Sequence, residues 1–81
     1  MEKITPHNRE AEQAVLGSVF VDQTAMKSIV DKLDTDDFFV LKHKVIFNAM
    51  VDLYKSNVEI DYTTLTNLLN TRELLAEAGA I

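Results

Sequence analysis

Between Leu41 and Tyr54 the apolar residues recur every three or four positions. Leu41, Val45, Ile46, Ala49, Met50 and Leu53 form one stripe, widened by Phe47 and Tyr54. An α-helix, with its period of 3.6, puts those side chains on one face and turns Lys44, Asn48, Asp52 and Lys55 to the other. So wide a stripe must be buried against further elements, which the rest of the chain has to supply. The chain has 81 residues with two glycines and one proline. That is enough for one small domain and too few breakers for a loop-rich scaffold.

The remaining segments are also mostly helical in pattern. Residues 1–7 read as an extended arm, because Pro6 biases Thr5 away from the α region. Asn8 suits the N-cap of a first helix, with Glu10 and Glu12 in the first turn where the helix dipole favours anions. From Ala14 to Val21 the chain is apolar almost all round, the mark of a helix surrounded by others. A buried strand would fit the same stretch, and the glutamates ahead of it decide for helix. Asp22 suits the cap of a second helix carrying Met26, Ile29, Val30 and Leu33. Asp34-Thr35-Asp36-Asp37 then interrupts the pattern, with Thr35 placed to cap a single turn bearing Phe38 and Phe39.

Ser56 and Asn57 end the long helix. Val58, Ile60 and Tyr62 alternate with Glu59 and Asp61, a strand signal too short to build a sheet. The segment reads instead as an extended linker into a helix capped by Asp61, with Leu65, Leu68 and Leu69 inward. Arg72 to Ala78 reads as one more short helix, closed by Gly79. The expected architecture is an all-α bundle of about five helices, with residues 8–81 as its head.

Several chemistries are excluded. With no cysteine there is neither a disulfide nor a thiolate metal site. A calcium loop begun at Asp34 would place Phe38 and Phe39 where a ligand and the obligatory glycine belong, and Val45 where the bidentate glutamate belongs. His7 and His43 lack metal-ligand spacing. His43, on the edge of the apolar stripe, is expected to be partly buried and bonded to a backbone carbonyl. Gly17 and Gly79 stand alone, so no phosphate-cradling loop forms. Gly17 inside a helix costs about 1 kcal/mol against alanine, and close helix–helix approach is the expected reason. Ser18, Ser28 and Ser56 have no patterned base, and Glu10 and Glu12, two apart, diverge on a helix. No catalytic, cofactor-binding or metal-binding residue is expected.

Eight basic residues against thirteen acidic ones give a net charge of −5. No helix is basic, so direct binding to nucleic acid is not expected. No apolar run approaches the roughly 20 residues of a membrane span, and no secretory signal opens the chain, which leads us to expect a cytoplasmic protein. What remains is an interaction surface. Phe38, Phe39, Tyr54 and Tyr62 sit at helix ends or connections, where aromatics either anchor a partner or close a small core.

The stretch Pro6-His7-Asn8-Arg9-Glu10-Ala11-Glu12-Gln13-Ala14-Val15-Leu16-Gly17 resembles the opening of the amino-terminal domain of the bacterial replicative DNA helicases, the DnaB family. Weaker matches follow in the same order: Asp37-Phe38-Phe39, His43, Ile46-Phe47, Ile60-Asp61 with Thr64-Leu65, and Leu74-Leu75 through Ala78-Gly79. The resemblance covers roughly residues 5–79. It departs after Gly79, where the family usually shows a second glycine and this chain has Ala80-Ile81. It implies a non-catalytic collar head without the helical hairpin that follows in the family. ATP, Mg and DNA unwinding would belong to the longer parent. Implied partners are primase, other helicase subunits and the helicase loader, with the isolated head monomeric or weakly self-associating. The helicase-binding domain of primase, similar in fold, and a free-standing helical adaptor are the alternatives.

Overall fold

A computed structural model describes residues 9–74, 77 and 78 of the chain, so Asn8, Gly79 and the 1–7 arm lie outside the described residues. Four α-helices follow one another: α1 (Arg9–Val21), α2 (Ala25–Lys32), α3 (Leu41–Lys55) and α4 (Tyr62–Thr71). A 3₁₀ turn, Thr35–Asp37, stands between α2 and α3, and there is no strand among the described residues. The architecture is all-helical, as the periodicity requires.

The stripe of α3 is the centre of the packing. It meets α4, the 3₁₀ turn and α1, while α1 also packs on α2. Ile46, Phe47, Ala49, Met50 and Leu53 of α3 join Leu16 and Val19 of α1, Met26 and Ile29 of α2, and Leu65 and Leu69 of α4 in one core. Phe38 and Ile60, from the connections, close it. The Phe38 and Phe47 rings are tilted against each other with centroids 4.8 Å apart.

The ends of the elements follow from local chemistry. The 3₁₀ turn is capped by Asp34, not Thr35. The Asp34 carboxylate accepts from the Asp36 N–H while Asp37 reaches back to the Asp34 N–H at 2.9 Å. Asp22 accepts from the N–H and hydroxyl of Thr24 at 3.0 and 2.7 Å, so it shapes the turn ahead of α2 instead of capping the helix itself. Asp61 does cap α4: its carboxylate accepts from the Thr64 N–H at 2.8 Å, and the Thr64 hydroxyl accepts from the Asp61 N–H at 3.0 Å.

Two helices end in the same left-handed motif. After α3, Asn57 has φ 59°, with the Val58 N–H bonded to the Leu53 carbonyl and the Asn57 N–H to that of Tyr54. After α4, Glu73 has φ 58°, with the Leu74 N–H on Leu69 and the Glu73 N–H on Asn70. Both are Schellman closures, in which a left-handed residue reverses the chain. Asparagine tolerates that geometry; glutamate does so less readily. The second closure ends α4 at Arg72: residues 72 and 73 form a turn, and the Ala78 N–H reaches the Leu74 carbonyl at 3.1 Å. Leu75, Ala76 and Gly79, which the expected fifth helix also used, lie outside the described residues.

Candidate functional site

Glu12 lies one turn ahead of Leu16 and two ahead of Val19, on the face of α1 turned inward, and none of it is exposed. One carboxylate oxygen accepts from the Phe39 N–H at 2.8 Å. The other accepts from the Val40 N–H at 3.2 Å and lies 2.7 Å from Nδ1 of His43, itself 3% exposed. These contacts bind α1 to the entry of α3. Val40 is the N-cap of α3 and has no polar side chain to satisfy the amides there. Glu12 supplies from another helix both the acceptor and the negative charge that the positive end of α3 favours.

Burial pushes the Glu12 pKa up. The Phe39 N–H, the His43 side chain, the Val40 N–H and the charge of His43 together outweigh it and hold the group below the ordinary carboxylate value. Glu12 was expected in the first turn of α1 beside its dipole and His43 on a backbone carbonyl; the fold pairs them with each other. The signal was present: Glu12 shares its face with Leu16 and Val19, and His43 shares its face with Ile46, Phe47 and Met50. Two ionisable residues standing in two apolar stripes are partners for one another.

A second polar contact fixes the far end of the bundle. The Gln23 carboxamide accepts from the Ile60 N–H at 2.7 Å and donates to the Ile60 carbonyl at 2.5 Å, with a further bond to the Val19 carbonyl at 3.0 Å. It thus serves Ile60 as a neighbouring strand would. The alternation at Val58–Tyr62 reflects an extended backbone whose partner is a single side chain.

With both ends pinned, the outer surface is defined. Of the aromatics expected to anchor a partner, Phe38 is 1% exposed and belongs to the core, and Tyr54 is half-buried against it. Phe39 and Tyr62 are exposed, at 52% and 58%. They stand at the entries of α3 and α4. Much of the apolar run of α1 is also uncovered: Ala14 and Gly17 are exposed, Phe20 is 40% exposed and Val21 90%. The apolar run of α1 therefore does not lie inside a ring of helices. Nor does Gly17 admit a close helix among the described residues, since a Cβ there would meet nothing of them within 4 Å. Leu16, Gly17 and Phe20 instead form one wall of a shallow groove of about 280 Å³, with Lys42 and Ile46 of α3 as the other.

Among the described residues no group of three or more His, Asp or Glu side chains could hold a metal ion. No helix among them is long and apolar enough to cross a membrane. The arrangement offers shape and apolar contact.

Comparison with known proteins agrees with the motif reading. The family model for the DnaB-like helicase N terminal domain matches residues 4–81. The chain is 39% identical over 80 residues to the replicative DNA helicase DnaC of Bacillus subtilis, covering 99% of this chain and 18% of that protein. Against the replicative DNA helicase DnaB of Geobacillus stearothermophilus it is 39% identical over 80 residues, with 99% and 18% covered. Against that of Haemophilus influenzae it is 37% identical over 76 residues, with 94% and 16% covered. The chain thus spans less than a fifth of the length of these relatives.

Proposed function

The chain belongs to the DnaB-like helicase N-terminal domain family, and from that premise we propose that it works as a non-catalytic collar head of a hexameric replicative DNA helicase. Its task is protein–protein contact: recruitment of primase, contact with the helicase loader and organisation of the ring of subunits. ATP, Mg and strand unwinding belong to the remaining length of such a helicase. The observation that carries this reading is the match to a helicase amino-terminal domain along residues 4–81.

The physical character of the chain supports it. A net charge of −5 opposes contact with the phosphate backbone, so the head stands off the strand that a motor domain grips. Rigid helices carrying isolated exposed apolar side chains, Phe39 and Tyr62 foremost, suit a docking module. A cytoplasmic location accords with this role.

The test is a titration of the ¹⁵N-labelled chain with the carboxyl-terminal domain of primase from the same organism. Shifts confined to one face identify a docking head and give its contact residues. A well-dispersed spectrum that does not change at any primase concentration removes primase recruitment from this segment.

A further inference from the structure

The groove between α1 and α3 combines three features. Its wall is hollow at Gly17, where a Cβ would meet nothing within 4 Å. Its apolar rim residue Phe20 is 40% exposed. Its rim cation, Lys42, is half-buried yet has no ion-pair partner among the described residues. Among the described residues the other ionisable lining residue is His43, already engaged with Glu12, and no carboxylate lines the groove.

In a chain with thirteen acidic and eight basic residues this is a local reversal of charge. A lysine whose stem lies along apolar surface holds its ammonium at the rim of the groove, where an incoming carboxylate can pair with it. A second copy of this acidic chain would meet its own net repulsion there, whereas an acidic partner segment with an apolar face meets a cation and a hollow.

We propose that this groove docks an amphipathic helix of a partner protein, one large aliphatic side chain entering the hollow at Gly17 and a neighbouring carboxylate pairing with Lys42. The inference rests on the docking-module reading and gives it a site and a partner chemistry. Anchors spaced three and four residues apart present such a face.

The probe is a synthetic Leu/Glu amphipathic helical peptide, with a Leu/Lys peptide of the same pattern as control. Titrated into the ¹⁵N-labelled chain, the Leu/Glu peptide is expected to shift Leu16, Gly17, Phe20 and Ile46, and to bind several-fold more tightly than the Leu/Lys peptide. Lys42→Glu reverses that preference. Gly17→Leu, tolerated because the added side chain meets open space, abolishes the shifts while the circular dichroism spectrum is retained. Equal binding of the two peptides, or a groove that does not respond to the Leu/Glu peptide, overturns the inference. If the primase titration still shifts another face, the docking role survives without this groove. A sedimentation mass that falls from dimer to monomer on Gly17→Leu, without peptide, assigns the groove to a second copy and overturns the inference as well.

Discussion

Glu12 is the residue on which the entry of α3 depends, because its two oxygens satisfy the Phe39 and Val40 amides and the His43 ring together. Glutamine at position 12 keeps one acceptor and brings an NH₂ group against donors. We expect Glu12→Gln to cost about 2–4 kcal/mol, read as a lower urea midpoint with an unchanged slope. The pH dependence has a definite sign. The folded carboxyl is held below its ordinary value of 4.5, so the unfolded chain binds the proton first as pH falls. The stability supplied by Glu12 is therefore complete above about pH 4.5 and is lost as pH drops toward the folded value. Thermal melts across that range should show a steeper acid loss for the native chain than for Glu12→Gln; parallel curves would mean that Glu12 is not held below its ordinary value. Gly17 works in the other direction. With open space beyond it, Gly17→Ala should stabilise the chain by up to about 1 kcal/mol, and a lower melting temperature would place a close neighbour there.

At the scale of the elements, the four α-helices were legible because each carries apolar residues at helical spacing, and α3 and α4 carry a usable end signal as well. The Asp61 cap and the Ser56-Asn57 ending stood in the sequence as residue types with one dominant local use. At Arg72 and Glu73 the chain turns although helical spacing continues through them, because Glu73, a residue with no preference for left-handed backbone, takes φ 58°. Glu73→Gly should relieve that conformation and stabilise α4 by up to about 1 kcal/mol, measured by urea denaturation. The staple at Ile60 was invisible for another reason: Gln23 bonds a backbone 37 positions away, and no local pattern announces such a contact. Gln23→Ala is expected to cost about 1–3 kcal/mol and to speed hydrogen exchange of the Ile60 amide well beyond that of Leu65. Equal acceleration at both would mark a global effect and refute a local staple.

For the molecule as a whole, a radius of gyration of 11.6 Å matches the roughly 12 Å expected of a compact chain this long. One core draws on all four helices, so unfolding should be a single transition, with tyrosine fluorescence and far-ultraviolet circular dichroism coinciding. Separate midpoints would divide the bundle. The sequence by itself determined the helical class and the family, because periodicity and motif order are properties of the chain alone. Only the tertiary structure decided which apolar residues are left outside. Phe38 went into the core and Phe39 out of it, and α1, apolar almost all round, kept one face uncovered. It also brought Glu12, expected in the first turn of α1, and His43, expected on a backbone carbonyl, together as one buried pair. Burial depends on which elements cover a residue, and that is settled by contacts between distant parts of the chain, not by the residue's own neighbours in sequence.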